Sequence, residues 1–313
     1  MILSLVLFVL GLGLVISFAE QLVKGALGTS LSFGISPFLI SVIFIGFDPE
    51  NLAVGAVGAF EGVAGIALGS IIGAAMVAVA LAFGITALCA PMSFGQAPKQ
   101  VLAVPILAGF LLGLLCLDGQ LSRGDGAVLL LGFVLAIFYL LRLSKRGLDI
   151  TPAGEMAETL EETEEIGKWR SLGLLVLSLV AIVVGSEMVI AGSKTIMASL
   201  GLSDTVFGMT ILALLVSIEE LARELPAALQ GRPEISFGNV VGSILAFFLC
   251  NAGIIAIVQP VPVSNQVLRF YLPLCLITII VVSLFMLRKQ IPRWAGAVLV
   301  GLYLLFVAGG SIA

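Results

Sequence analysis

Runs of apolar residues, each about 20 residues long, recur along the whole chain, and each is long enough to cross the hydrocarbon core of a bilayer. No soluble fold has room for so many. A soluble domain must cover its core with polar residues, and here charged residues make up only 11% of the chain, about half the usual share. The runs also lack the short alternating pattern of a transmembrane β-barrel. The sequence therefore reads as an all-α polytopic membrane protein, with the lipid bilayer as its surroundings. Polar punctuation predicts ten transmembrane helices, at roughly 2–24, 36–60, 65–89, 100–117, 126–143, 171–199, 205–229, 235–259, 268–287 and 293–311. The stretch from Met1 to Val15 has no basic leader region, so it reads as the first span rather than a signal peptide.

One long polar segment divides the chain. Residues 144–170 carry six glutamates between Glu155 and Glu165 and read as an acidic cytoplasmic linker. It separates a first five-helix repeat, 1–143, from a second, 171–313. With an outside N-terminus, the inward loops would hold Lys24, Lys99, Arg142, Lys145, Arg146, Lys168, Arg170, Arg232, Arg288, Lys289 and Arg293. Only Arg123, Lys194 and Arg269 would then face out, which puts both termini outside a prokaryotic plasma membrane. There is no basic face for nucleic acid. The four cysteines stand singly in apolar runs, as small buried hydrophobes do. The chain has no histidine, so it lacks the commonest metal ligand and the commonest general base.

The two halves resemble each other at an ungapped offset of 169. Residues 50–74 laid over 219–243 give eight identities in 25 positions: Glu50/Glu219, Leu52/Leu221, Ala53/Ala222, Ala59/Ala228, Gly62/Gly231, Ile66/Ile235, Gly69/Gly238 and Gly73/Gly242. Glu20 and Glu187 each stand fourteen residues before a glycine, Gly34 and Gly201. Five spans is an odd number, so the second copy must sit upside down relative to the first. Inverted repeats with polar groups near mid-membrane are an architecture of secondary transporters.

Charge inside the spans is the second constraint. A carboxylate at the centre of a spanning helix costs about 2.5–3.5 kcal/mol even on a lenient scale. The second span nevertheless holds Asp48, Glu50 and Asn51, and the seventh holds Glu219, Glu220, Arg223 and Glu224. Pro49 lacks an N–H, which would free the carbonyl of Ile45; Pro226 would do the same for Ala222. Carboxylates, an amide, the Ser217 hydroxyl and freed carbonyls form a set of hard oxygen ligands suited to Ca²⁺ or Na⁺. A purely structural alternative exists for the seventh span, where Glu219 and Arg223 are spaced for an i,i+4 ion pair. It does not extend to Asp48 and Glu50, which have no base near them in their own span. The third and eighth spans carry GSIIGA (69–74) and GNVVGS (238–243), whose small residues let helices approach closely. Ser243 and Asn251 offer further oxygens there, or serve packing alone.

These features resemble the calcium/cation antiporter superfamily, which includes the sodium/calcium exchangers. Its members carry in each half a Gly-Thr-Ser-x-Pro-Glu motif on one helix and GN-x-x-GS on the next. FGNVVGS (237–243) is a close match to the second motif and IALGSIIGA (66–74) a weaker one. Glu220 precedes Gly238 by eighteen residues, as Asn51 precedes Gly69. The resemblance implies a sodium/calcium exchanger-like fold of ten helices in two inverted five-helix repeats. It places Glu220 and Ser217 at the glutamate and serine of the second motif and Ser243 at the serine of the following helix. In the first repeat it places Asn51 at the glutamate position, with Glu50 before it, and Asp48 at the serine position. The chain departs from the pattern where Glu50 and Glu219 replace the motif's proline, and where Ala78 and Phe247 take polar positions. Arg223 is foreign to the motif.

The expected function is that of a secondary active cation antiporter exchanging Ca²⁺ for Na⁺ or H⁺ by alternating access. Its metal ligands would come from Asp48, Glu50, Asn51, Ser217, Glu219, Glu220 and Ser243, with Arg223 pairing with and modulating them. Cations are then the partners, and no cofactor is needed. The alternatives are an exchanger for another cation and a transport-silent relative. An aspartyl intramembrane protease would need a second aspartate at the depth of Asp48, and a lipid phosphotransferase would need clustered aspartates. Neither is present.

Overall fold

The structure, a computed structural model, describes residues 1–33, 48–94, 98–144 and 167–310. Its helices are α1 (Ile2–Ser32), α2 (Pro49–Phe60), α3 (Ala64–Cys89), α4 (Lys99–Leu115) and α5 (Arg123–Ser144) in the first half. The second half has α6 (Lys168–Leu200), α7 (Asp204–Val216), α8 (Glu219–Leu229), α9 (Pro233–Val258), α10 (Val267–Leu287) and α11 (Arg293–Gly310). Seven of these are long and apolar enough to span, and α7 with α8 form an eighth crossing bent by 48°. With α4 and the span to which α2 belongs, this is the ten-helix architecture. The first part of that second span, and the carbonyl of Ile45, lie outside the described residues. So does most of the acidic segment.

The sequence reading errs at three places. Lys24 is not in a loop: α1 continues eight residues past it, and Lys24 pairs with Glu20 one turn back at 2.8 Å. Pro49 does not interrupt a helix but begins one, at the N1 position where the missing N–H costs nothing. The seventh span is broken, not at Pro226, which sits inside α8, but at Ser217 and Ile218. There the N–H groups of Glu220 and Leu221 reach only three residues back, to the carbonyls of Ser217 and Ile218.

Two short antiparallel ladders reveal the relation between the halves. Strand β1 (Met92–Ser93), before α4, pairs with β4 (Gln290–Ile291), after α10. Strand β2 (Gln120–Leu121), after α4, pairs with β3 (Val261–Pro262), before α10. The 169-residue offset carries α4 onto α10, β1 onto β3, and β2 onto β4 to within a residue. On one face the chain therefore enters α4 and leaves α10, and on the other it does the reverse. Counterpart helices run in opposite directions, which is the inversion. Each ladder ties one repeat to the other, at opposite ends of the bundle. On the face away from β1, Lys194 of α6 meets Glu61 at the end of α2 at 2.9 Å.

Burial assigns the layers. In α3 and α9, 83% of the hydrophobic window is buried, against 22% in α1 and 33% in α5, α6 and α11. The first pair is the centre. The others turn Leu3, Leu5 and Leu10, Leu131 and Leu135, and Leu177 and Val180 outward, where lipid solvates them. Close approach at the centre depends on glycine. A Cβ on Gly69 of α3 would collide with the backbone of Gly208 in α7, and one on Gly208 with the backbone of Gly65. Gly62 and Gly231, one of the matched pairs, adopt φ of +72° and +74° in the turns after α2 and α8.

Candidate cation site

Two helices begin at the centre of the molecule, and both carry acids in their first turn. α2 starts at Pro49 with Asp48 as its N-cap: Asp48 Oδ1 accepts the N–H of Asn51 at 2.8 Å, and Glu50 lies in the first turn. α8 starts at Glu219, with Glu219 and Glu220 in its first turn. Negative side chains at a helix N-terminus complement the partial positive charge of its unpaired N–H groups, which offsets part of the cost of burying them. The start of α2, the break between α7 and α8 and the positions of the acids are thus one local feature.

These two helix starts converge. One oxygen each from Asp48, Glu50 and Glu219 lie within 4.8 Å of one another. The Asn51 side-chain amide donates to Asp48 Oδ2 and to the hydroxyl of Ser217, both at 2.8 Å, linking the repeats directly. Asp48, Glu50, Asn51 and Ser217 are all buried. From α9, the Asn251 amide donates to the main-chain carbonyl of Asp48 at 3.4 Å.

The site continues along α8 and α9. The Asn239 amide donates to Glu220 Oε2 at 2.6 Å and to Glu224 Oε1 at 2.9 Å, and the Ser243 hydroxyl donates to Glu220 Oε1 at 3.4 Å. Ser236 donates to the main-chain carbonyl of Glu224 at 3.1 Å. Arg223 sits between the tiers, 2.8 Å from Glu219 Oε1 and 3.8 Å from Glu220 Oε1. The ion pair anticipated as a structural alternative is therefore present, joining Arg223 to Glu219 and Glu220.

The eight residues singled out in the sequence thus lie in one connected cluster. Three more belong to it that were not placed in the ligand set: Glu224, Asn239 and Asn251. Glu224 follows Glu220 by one turn, and Asn239 is the asparagine of FGNVVGS, so both carried a signal. Several buried oxygens here have no hydrogen-bond donor: Glu50 Oε2, Asn51 Oδ1, Glu224 Oε2 and Asn251 Oδ1. Every one is an acceptor. Buried acceptors are rarely left without a donor, and a positive ion supplies what they lack.

The family model described as sodium/calcium exchanger protein matches residues 3–142 and 170–309. The sodium/calcium exchanger MaX1 of Methanosarcina acetivorans is 24% identical over 340 residues, 97% of this chain and 97% of its own. Inner membrane protein YrbG of Escherichia coli is 27% identical over 317 residues, covering 98% of this chain and 97% of its own. Among solved structures, the sodium-calcium exchanger NCX_Mj soaked with Na⁺ and Sr²⁺ superposes with a TM-score of 0.62. It is 26% identical, with 98% of each chain covered.

Proposed function

The chain belongs to the sodium/calcium exchanger family, a family of cation antiporters, and from that membership we propose that it exchanges Ca²⁺ for Na⁺ or H⁺ by alternating access. One observation carries the reading. Carboxylates from oppositely oriented repeats meet within 4.8 Å in a buried centre whose unpartnered oxygens are all acceptors. At that separation and an effective dielectric of about 20, each pair of full negative charges repels by about 3 kcal/mol. Arg223 offsets part of that repulsion at Glu219, and a cation or protons neutralise the rest. Competition for the same oxygens is the basis of exchange.

In this reading Asp48, Glu50 and Glu219 hold the cation with Asn51 and Ser217, and Glu220 with Ser243 forms the adjoining station. Arg223 cancels part of the charge of Glu219 and Glu220, lowering the positive charge that must be carried. The transported ions are the substrates, their gradients drive the cycle, and no cofactor takes part. The proposed location is a prokaryotic plasma membrane, and the bias of basic residues supports both termini outside. The three-part division into repeats 1–143 and 171–313 around the linker 144–170 supplies the moving halves and their tether.

The test is ⁴⁵Ca²⁺ uptake into proteoliposomes, driven separately by Na⁺ and pH gradients. Wild-type protein is expected to take up Ca²⁺ under at least one gradient. Glu50→Gln and Glu220→Gln should fall to background while still inserting and folding. Flux like wild type in both variants would overturn the assignment of the site. The Arg223 ion pair favours one second reading, a transport-silent relative. Absence of flux for Ca²⁺, Na⁺ and other divalent cations under every gradient would select it.

A further inference from the structure

Asn251 is two turns beyond Ser243 on α9, in a segment that is otherwise apolar, Cys250 apart, from Ser243 to Gln259. It is fully buried, and its Oδ1 has no donor. In an uninterrupted α-helix, eight residues place two side chains about 80° apart around the axis. Asn251 would then be turned well away from the face that carries Ser243. α9 is not uninterrupted. Residues Ala246–Asn251 form a π-helical segment, which absorbs about one extra residue. The eight-residue step then acts as seven, and Asn251 returns to within about 20° of Ser243. The segment that unwinds the helix ends at the residue it redirects.

We propose that Asn251 is a further ligand of the cation site, supplying its amide oxygen at the Asp48 end. This rests on the cation-site reading above. In the structure the amide nitrogen faces the main-chain carbonyl of Asp48 at 3.4 Å. That carbonyl also accepts the helical N–H of Leu52 at 3.2 Å. A half-turn about the terminal side-chain torsion exchanges the nitrogen for the oxygen at little cost. Two carbonyl oxygens would then lie side by side, an arrangement that is unfavourable alone and favourable around a cation. The same side chain donates to Asp48 when the site is empty and accepts the ion with it when the site is loaded. The first repeat has a π-helical segment at the matched place, Val77–Ala82, but ends it on alanine. The amide is therefore delivered from one repeat only.

A neutral oxygen ligand suits a site already rich in carboxylates, because it adds coordination without adding repulsion. That makes Asn251 a determinant of selectivity between singly and doubly charged ions. The experiment is calorimetric titration of the purified full-length protein with CaCl₂ and, separately, NaCl. It compares wild type, Asn251→Ala, Asn251→Asp and Glu50→Gln. Asn251→Ala is expected to weaken cation binding about tenfold, the scale of losing a supporting group at a metal site. Asn251→Asp is expected to raise the ratio of Ca²⁺ to Na⁺ affinity about tenfold, a change that a scaffolding role would not produce. Wild-type affinity in Asn251→Ala, with binding lost in Glu50→Gln, would overturn this inference and leave the acid site standing. An unchanged affinity ratio in Asn251→Asp would also overturn it. Undiminished binding in Glu50→Gln, or no binding by wild type, would bring down the acid site and this inference with it.

Discussion

Asn239 holds two buried carboxylates with one amide group, spending both its hydrogens on Glu220 and Glu224. Replacing it with alanine leaves those oxygens without donors. Hydrogen bonds to charged groups contribute about 1.5–3 kcal/mol each, so Asn239→Ala should lower stability by about 3 kcal/mol, read as the unfolding transition in detergent. Ligand linkage gives a complementary measurement. If the acids hold the ion, Ca²⁺ at 100 times its dissociation constant adds about 2.7 kcal/mol of stability to the wild type. In Glu50→Gln that gain should vanish. At this scale the sequence was partly transparent. Asp48, Glu50, Glu219 and Glu220 stand out because charge at membrane depth is costly, and the cost alone predicts partners. Asn239 was visible only as part of FGNVVGS, and Asn251 only as an oxygen with a packing alternative, because an amide in a membrane helix packs a neighbour as readily as it binds an ion. Only the register of α9 distinguishes the two uses.

Among the helical elements, the breaks matter more than the spans. The apolar runs gave nearly every boundary to within a few residues, since length and hydropathy settle a crossing helix. The break between α7 and α8 was invisible because Val216, Ser217 and Ile218 include neither proline nor glycine. Of the prolines that were visible, Pro49 starts a helix instead of interrupting one, while Pro226 sits inside α8, away from the break. What opens the seventh span is tertiary, the Asn51 bond to Ser217 together with the acids at the start of α8. Two substitutions probe the elements on either side. Gly62 has φ of +72°, where a residue with a Cβ is strained, so Gly62→Val should cost about 1–2 kcal/mol in thermal stability. Gly69→Leu sets a side chain against the backbone of Gly208, so α3 and α7 would have to separate. Folded yield in detergent should fall sharply, whereas Gly13→Leu, with open space around it, should be neutral.

The repeat offset of 169 made the inversion legible for the molecule as a whole, but the ladders that fasten the halves were not, since strands of two residues leave no periodicity to read. They predict a labelling pattern. In a background with the four native cysteines replaced, Ser93→Cys and Gln120→Cys should react with an impermeant maleimide from opposite sides of the membrane. The bias of basic residues puts Ser93 inside. Labelling of both from one side would contradict the placement of the ladders.

The repeats match in backbone but not in what they carry beyond the centre. The offset sets Asn239 against Ser70 and Glu224 against Gly55, and a Cβ on Gly55 would strike the Ser70 hydroxyl, so the pairs correspond in space too. On the proposed reading, an ion leaving along α8 would pass a second carboxylate. Leaving along α2, it would pass a bare glycine and a serine already committed to the carbonyl of Ala67 at 2.9 Å. The two doors of this carrier are therefore unequal: oriented vesicles should half-saturate at a lower cation concentration from the side that opens past Glu224.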